Sequence, residues 1–156
     1  MSNKINYCIY SSQVGKLLLA GDEDGLQRIQ FECNIDVSDK WHKDRDFFKP
    51  VISQLDEYFN NKRKVFDVKL NPKGTAFQIS VWKRLKKIGF GKTKNYSEIA
   101  QEINNSKAAR AIGMANNKNP IPIIIPCHRV IGKNGSLTGF AGGLVIKQQL
   151  LKLEGL

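Results

Sequence analysis

Three things are scarce in this sequence: long apolar runs, cysteines, and acidic residues in its second half. No hydrophobic stretch approaches the roughly 20 residues of a membrane-spanning helix, and no apolar signal region follows the first four residues. The cysteines, Cys8, Cys33 and Cys127, have no CxxC spacing, which disfavours a disulfide framework and a zinc ribbon. We therefore expect a soluble, non-secreted, cytoplasmic protein with at least one free thiol.

The excess of positive charge lies almost entirely in the second half of the chain. Residues 1–74 contain 12 Lys and Arg against 11 Asp and Glu, whereas residues 75–156 contain 13 against 3, a net charge of +10. The hydrophobic fraction of 41% is enough for a core, so a disordered or low-complexity protein is excluded. The basic half indicates either an ordinary solvated face or a surface for a polyanion, most often nucleic acid.

The N-terminal half has the pattern of a small α/β unit. Asn71–Gly74 interrupts the chain where the charge changes, so we predict domains over residues 1–73 and 74–156. The patterns predict a strand over Ile5–Tyr10, a hairpin from Gly15–Ala20 and Leu26–Phe31, a helix within Asp44–Asn61 and a strand over Val65–Leu70.

The C-terminal half is predicted to be mostly helical. Phe77, Val81, Leu85 and Ile88 share one face of a helix that ends near residues 89–91. Asn95–Glu98 has the pattern of a capping box that opens a short helix. Ser106 is a candidate cap for a second helix from Lys107 to about Asn116, and two short helices on a basic half-chain suggest a helix-turn-helix.

The second of these helices carries small side chains and one long cation. Residues 108–115 read Ala-Ala-Arg-Ala-Ile-Gly-Met-Ala, so Arg110 projects among small neighbours. Small residues allow the helix backbone to approach a narrow surface such as the DNA minor groove, with one inserted side chain. Tight packing against another helix explains the same residues equally well.

The segment from Asn119 to Val130 contains the chemically suggestive residues. Three prolines forbid a helix, and Ile123–Ile125 is expected to be a short, buried, extended run that leads to Cys127. The thiol is either a small core hydrophobe or a nucleophile whose pKa the charges of His128 and Arg129 lower. Because adjacent residues on an extended chain point apart, proton transfer from Cys127 to His128 needs a bridging water or a local turn, and a zinc site from this pair is disfavoured.

One set of motifs resembles the signature of a known family. It consists of Pro126–Val130 with Asn119–Pro120 and the Ala-Ala-Arg-Ala-Ile-Gly helix upstream. The family that it resembles is the O6-alkylguanine-DNA alkyltransferases, or methylated-DNA-protein-cysteine methyltransferases. The likeness extends from about Thr75 to Glu154. It implies an α+β fold, with a small N-terminal antiparallel sheet and helix of ribonuclease H-like type before a mostly helical domain with a helix-turn-helix. It also implies a DNA repair protein that moves the alkyl (methyl) group from O6 of guanine to its own cysteine, irreversibly and once per molecule, without a cofactor.

The resemblance assigns the reacting groups. Cys127 would attack the alkyl carbon, His128 would take the thiol proton through a water, and Glu154 would orient His128. Tyr96 would donate a proton to the departing guanine. A plain reading makes Glu154 a solvated residue at the end of the Leu144–Leu153 helix, where a carboxylate is unfavourable with the helix dipole.

The resemblance further implies binding to double-stranded DNA that contains O6-alkylguanine, with the damaged base flipped out of the duplex. Arg110 would fill the vacated stack. The other candidate DNA contacts are Ser97, Ala108, Ala109, Ala111, Gly113 and Arg129. Asn119 would tie the helix-turn-helix to the active-site segment. The pocket would be formed by the loop from Gly132 to Gly143, which contains Phe140 and Gly142, together with Pro122.

Several points stay open at this stage. A monomer in solution is expected, while cooperative assembly on DNA, alkyl size and activity on O4-alkylthymine are undecided. Some relatives bind zinc in the N-terminal half, but Cys8, Cys33 and His42 do not make a site here, and a Cys8 to Cys33 disulfide is unsupported in a reducing cell. The alternatives are a non-catalytic helix-turn-helix protein that senses lesions or regulates, and a cysteine hydrolase that uses Cys127 and His128.

Overall fold

An antiparallel meander of three strands forms the first half of the chain: β1 (Asn6–Ser12), β2 (Gly15–Asp22) and β3 (Gly25–Phe31). The computed structural model describes residues 4–135, 137 and 139–156, and the chain divides into two units, Met1–Lys73 and Gly74–Leu156. The predicted first strand and hairpin are confirmed. A two-residue strand that the sequence pattern did not indicate, β4 (His42–Lys43), pairs in parallel with β1, so the sheet order is β3-β2-β1-β4.

The hairpin between β2 and β3 depends on a glycine at a bulge. The register shifts between Ala20 and Gly21, and a Cβ atom on Gly21 would lie 2.6 Å from the carbonyl oxygen of Gly25. A larger residue would therefore force the two strands apart. Asp22 Oδ1 accepts a hydrogen bond of 2.8 Å from the backbone N–H of Asp24 and closes the turn.

One helix, α1 (Lys49–Phe59), follows a 3₁₀ turn at Asp46–Phe48, so the predicted helix begins a few residues later than the pattern indicated. Pro50 sits in its first turn, where no N–H is required. The hydroxyl of Tyr10 donates to Asp56 Oδ1 at 2.5 Å and joins β1 to α1. The buried face of the helix consists of Val51, Leu55, Tyr58 and Phe59.

The predicted strand over Val65–Leu70 is wrong. The segment makes a single bridge, between Leu26 and Leu70, and is otherwise irregular. The side chain of Gln54 donates to the carbonyl oxygen of Asp67 and accepts from its N–H, both at 2.8 Å. A side chain thus takes the hydrogen bonds that a neighbouring strand would have taken.

The second unit begins with α2 (Ala76–Leu85), which starts at a capping box formed by Thr75 and Gln78. The helix stops at Leu85, earlier than expected, and Ile88 is buried in the turn that follows. Phe77 is 37% exposed and does not share the buried face. The indole N–H of Trp82 donates to the carbonyl oxygen of Ala115 at 2.9 Å, which ties α2 to the later helix of the helix-turn-helix.

That motif consists of α3 (Tyr96–Glu102) and α4 (Ala109–Asn117). The predicted capping box at the start of α3 is confirmed, because the Asn95 and Glu98 side chains each accept from the other's backbone N–H. The prediction that Ser106 caps the second helix is wrong. The residue at the N-cap is Ala108, whose methyl group cannot accept a hydrogen bond, and a turn from Asn105 to Ala108 delays the start of the helix.

Two further elements complete this unit and bring the segment around Cys127 to the helix-turn-helix. Strand β5 (Lys94–Asn95) pairs in parallel with β6 (Val130–Ile131), and a 3₁₀ turn at Cys127–Arg129 precedes β6. The last helix is α5 (Leu144–Leu153). The mixed architecture, with an antiparallel meander first and helices second, confirms the predicted fold class. None of the described helices has the length and apolarity to cross a membrane.

Candidate active site

Cys127 opens a buried 3₁₀ turn. The prediction that Ile123–Ile125 is extended is wrong, although the prediction that it is buried is confirmed. Ile123 adopts a φ of 75°, and the N–H of Ile125 donates to the carbonyl oxygen of Ile121 at 2.9 Å. Cys127 and His128 themselves lie on a local turn and not on an extended run.

Asn119 holds this turn in shape. Its Oδ1 accepts from the N–H of Ile121 at 3.0 Å, and its Nδ2 donates to the carbonyl oxygen of Ile125 at 2.7 Å. The residue lies just beyond the end of α4 and is 7% exposed. One side chain thus replaces the backbone hydrogen bonds that the prolines of this segment cannot make.

The Cys127 thiol is 4% exposed, and burial raises its pKa to about 11. A hydrogen bond from the Asn119 side chain and the charge of Lys147 act in the opposite direction without offsetting the burial. The prediction that His128 and Arg129 lower this pKa is wrong, because neither supplies a free positive charge to the thiol. With this pKa, the cysteine is a thiol at neutral pH.

His128 and Glu154 form a buried pair, with His128 Nε2 2.6 Å from Glu154 Oε2. Burial lowers the pKa of His128 from its ordinary value, although Glu154 acts to raise it. The imidazole is therefore neutral at neutral pH, and its Nε2–H donates to the carboxylate. That assignment leaves Nδ1 as a bare acceptor, and no described residue makes a hydrogen bond to it.

Glu154 follows the last residue of α5 and is 5% exposed, so the reading of a solvated chain-end carboxylate is wrong. Its carboxylate oxygens accept hydrogen bonds from His128, Arg129 and Gly91. The hydrogen bond from the backbone N–H of Gly91 to Oε1 is 3.1 Å long. Gly91 has a φ of 74°, which favours glycine at this position.

Arg129 points into the protein and is 6% exposed, which contradicts its prediction as a DNA contact. Its Nε lies 2.8 Å from Glu154 Oε1, and one terminal nitrogen lies 3.1 Å from Oε2. The other terminal nitrogen donates to the carbonyl oxygen of Ile88 at 2.7 Å, and the guanidinium carbon lies 5.9 Å from the ring centroid of Phe90. The guanidinium is therefore fully engaged inside the fold.

Lys147 is a buried cation that the sequence reasoning missed. It is 0% exposed, its Nζ donates to the carbonyl oxygen of Val130 at 2.6 Å, and burial lowers its pKa. A sequence signal was present, because Lys147 is spaced three, four and seven residues before Leu150, Leu151 and Glu154, all of which are buried. Lysine at a helix position on the buried side indicates a specific partner.

A concavity of about 540 Å³ lies on the helix-turn-helix. The structure brings Tyr96 and Arg110 together in its wall, but Cys127 is not among the described residues that line it. Arg110 is exposed, and Met114, one turn further along α4, is 64% exposed. The remaining lining residues are Ser97, Ala109, Gly113, Asn117, Lys133 and Gly139.

The remaining predicted residues differ in their surroundings. Ala108 is 7% exposed at the N-cap of α4, whereas Ala111 is exposed on the helix. Pro122 is buried in the turn before Cys127, while Phe140 and Gly142 are half-buried. Two residues of the predicted pocket loop from Gly132 to Gly143, Ser136 and Thr138, lie outside the described residues.

The three carboxylates of the basic half are all bound to groups within the unit. Glu98 belongs to the capping box of α3. Glu102 pairs with Arg84 and Lys94, and Glu154 belongs to the buried cluster described above. Among the cations that these carboxylates do not bind, Arg110, Lys118 and Lys152 are exposed.

The described residues contain no group of three or more His, Cys, Asp or Glu side chains placed to hold a metal ion. Cys8 is buried and Cys33 is exposed, and both are free, so they do not form a disulfide.

Comparison with known families matches both parts of the chain. Residues 5–72 match the ribonuclease-like domain of 6-O-methylguanine DNA methyltransferase, and residues 76–156 match its DNA binding domain. The methylated-DNA-protein-cysteine methyltransferase of Methanosarcina acetivorans is 55% identical over 152 residues, which are 96% of this chain and 97% of that protein. The protein of the same name from Haemophilus influenzae is 45% identical and is covered over 85% of its length.

Solved structures give the same result. The O6-methylguanine methyltransferase of Mycobacterium tuberculosis superposes with a TM-score of 0.89 at 43% identity. The Mycobacterium tuberculosis protein OGT, solved in complex with DNA, superposes with a TM-score of 0.91 at 44% identity, over 96% of this chain and 92% of that one.

Proposed function

This chain belongs to the O6-methylguanine DNA methyltransferase family, and from that premise we propose that Cys127 is its alkyl acceptor. The protein is a DNA repair methyltransferase that transfers an alkyl group from O6 of guanine to its own cysteine. The observation that supports Cys127 is its place on a buried turn beside His128, whose Nδ1 is a free acceptor and whose Nε2 is held by Glu154. Cys8 and Cys33 are also free, but neither has a histidine next to it in the sequence.

The reaction is a nucleophilic displacement at carbon. The Cys127 sulfur forms a bond to the alkyl carbon while the bond from that carbon to guanine O6 breaks. His128 Nδ1 takes the thiol proton through a water molecule, and guanine gains a proton as its O6 leaves. Because a thioether does not hydrolyse, each molecule acts once.

Burial keeps this nucleophile protonated in the free protein. With a thiol pKa of about 11, Cys127 holds its proton until a base removes it. His128, with its lowered pKa, is neutral and able to accept that proton. The buried Lys147 then becomes the nearby positive charge that favours the thiolate. We assign the activation of the thiol to substrate entry rather than to the free protein.

The helix-turn-helix is proposed to present the damaged base. Double-stranded DNA with O6-alkylguanine would bind across α4, where Ala109, Ala111 and Gly113 allow close approach and Arg110 replaces the flipped base in the stack. Tyr96 lines the same wall and would donate to the leaving guanine O6. Ser97, beside it, is assigned a phosphate contact.

We further propose that the protein acts as a monomer in the cytoplasm. The free state of Cys8, Cys33 and Cys127 suits a reducing compartment. The net charge of +10 in the second half, with its carboxylates already paired, supports attraction to the phosphate backbone and an affinity that falls as salt increases.

Transfer of a labelled methyl group tests the assignment of Cys127. Wild-type protein and the variants Cys127→Ala, Cys33→Ala and Cys8→Ala are incubated with duplex DNA that carries labelled O6-methylguanine. We expect label on the wild type and on the two control variants, and none on Cys127→Ala. Label that still moves to a folded Cys127→Ala variant would reject the assignment, and label that stays on the DNA with wild type would reject the function.

A further inference from the structure

Arg129 and His128 are joined through one oxygen atom of Glu154. His128 Nε2 lies 2.6 Å from Oε2, and a terminal nitrogen of Arg129 lies 3.1 Å from the same atom. The imidazole and the guanidinium therefore lie close together and share one carboxylate. Both groups and the carboxylate are almost completely out of solvent, so their charges are poorly screened.

The position of the guanidinium is fixed by three other contacts. Arg129 also bonds Oε1 of Glu154 through Nε, donates to the carbonyl oxygen of Ile88, and lies over the ring of Phe90. A forked, two-point contact with the carboxylate fixes the carboxylate plane as well as its charge. Arg129, together with the Gly91 N–H that donates to Oε1, therefore orients Oε2 toward His128.

The charges around the imidazole oppose one another. Glu154, at the end of α5, favours the protonated imidazole. Arg129, which lies on the same 3₁₀ turn as His128, and Lys147 on α5 both disfavour it. A carboxylate without a compensating cation at hydrogen-bond distance would attract a second proton to the ring. An imidazolium has N–H groups at both nitrogens and cannot accept a proton.

We propose that Arg129 is a positioning residue that, through Glu154, keeps His128 neutral with its proton on Nε2, so that Nδ1 stays free to accept the proton of Cys127. Arg129 touches neither the DNA nor the thiol in this role. The inference deepens the proposed function and rests on it where alkyl transfer is concerned, but the protonation of His128 can be measured without any substrate.

Nitrogen NMR of the two histidines tests this directly. The chain has only His42 and His128, so protein labelled with ¹⁵N-histidine gives two imidazoles, and the exposed His42 serves as an internal reference. For the wild type we expect His128 to be neutral with its proton on Nε2 across neutral pH. The same pH series is repeated for the rate of alkyl transfer to Cys127 from the free base O6-benzylguanine.

Three substitutions and one control separate charge from structure. Arg129→Met should raise the protonation midpoint of His128 and the acid midpoint of the transfer rate together, by roughly 1 to 3 pH units. Arg129→Lys keeps a cation but loses the two-point contact with the Glu154 carboxylate, so it should raise both midpoints by a smaller amount. This variant still allows the measurement if the methionine variant does not fold. Arg129→Met with Glu154→Gln removes both charges, and the His128 midpoint should fall again. Lys152→Met removes an exposed cation from α5 and should change neither midpoint.

The outcomes are distinct. A rate that drops equally at all pH values in Arg129→Lys and in any folded Arg129→Met protein, with an unchanged His128 titration, would overturn the proposal and leave Arg129 a purely structural residue. An imidazolium in the wild type at neutral pH would also overturn it. If the wild type transfers no alkyl group while the His128 midpoint still moves as expected, the proposed function fails and the role of Arg129 stands.

Discussion

Nε2 of His128 lies 2.6 Å from Oε2 of Glu154, and neither side chain reaches solvent. The two residues are 26 positions apart in the sequence, one on the turn of Cys127 and the other at the end of α5. The same carboxylate also binds Arg129 and the backbone N–H of Gly91. One acidic residue therefore supports both the stability of the second unit and the basicity of the site.

Replacing Glu154 with glutamine should destabilise the fold and stop alkyl transfer. The substitution leaves the buried Arg129 without its counter-charge, and breaking a buried pair in this way costs about 3–5 kcal/mol. Urea denaturation measures the loss in the free energy of unfolding. Glu102→Gln is the matched control, because its pairs with Arg84 and Lys94 are partly exposed and worth about 0–1 kcal/mol. Equal losses for the two variants would contradict the buried network.

The acid limit of alkyl transfer should lie below the ordinary histidine pKa. Burial lowers the pKa of His128 in the folded protein, so the imidazole stays neutral, and able to accept a proton, down to below about pH 6.5. The measurement is the rate of transfer from free O6-benzylguanine between pH 5 and 8, roughly the range in which histidine titrates.

The free energy of unfolding should also depend on the protonation of His128, and it should fall as the pH falls. Between the lowered folded-state pKa and the unfolded-state value near 6.5, the unfolded chain binds more protons, so the free energy of unfolding falls as the pH falls. A His128→Gln variant should lose this part of the acid sensitivity. If the transfer rate of the wild type already falls when the pH is lowered toward 7, that result would contradict a neutral, buried His128.

Gly113→Ala should strengthen the fold and weaken binding to duplex DNA. The new methyl group would lie 3.7 Å from the Tyr96 ring, an ordinary contact, and alanine within a helix is favoured over glycine by about 1 kcal/mol. On the proposed DNA-facing side of α4, the same methyl group blocks close approach to the groove. Thermal unfolding and titration with duplex DNA measure the two effects.

Ala111→Gly provides the reverse comparison. It removes bulk from the exposed side of α4 and lowers helix stability by about the same amount. If binding simply followed helix stability, Gly113→Ala would bind DNA more tightly and Ala111→Gly more weakly. That result would place the DNA elsewhere on the protein.

Arg110→Ala should slow repair in duplex DNA by at least about tenfold, because unstacking the damaged base costs a few kcal/mol that Arg110 no longer offsets. Transfer from free O6-benzylguanine needs no base flipping and should change little. Lys118→Ala, which removes an exposed cation just beyond α4, is the control for charge alone. Equal losses on duplex and free base for Arg110→Ala would reject the assigned role.

Local patterns predicted the local features of this protein. The capping box of Asn95 and Glu98 was readable because both partners lie within four residues. The pairing of Cys127 with an adjacent histidine was readable for the same reason. The conformation of Ile123–Ile125 was not, because the prolines remove backbone donors and the side chain of Asn119 then decides how the chain turns.

Long-range partners and burial account for the errors. Arg129 is a cation in a basic half-chain, and the sequence could not show that its counter-ion is Glu154, 25 residues away. The pKa of Cys127 was expected to fall because charged residues are its neighbours in sequence. In the fold, burial dominates and those charges are directed elsewhere. The spacing of Lys147 with Leu150 and Leu151 did contain a signal, and it was missed.

The most direct test of the central claim is the stoichiometry of alkyl transfer with DNA in excess. Wild-type protein is mixed with excess duplex that contains O6-methylguanine, and the repaired DNA and the protein peptides are both analysed by mass spectrometry. If Cys127 is a single-use acceptor, repair stops at one methyl group per protein molecule, and the peptide that contains Cys127 gains the mass of one methylene. Repair that continues beyond one equivalent, or a methyl group on another residue, would contradict it.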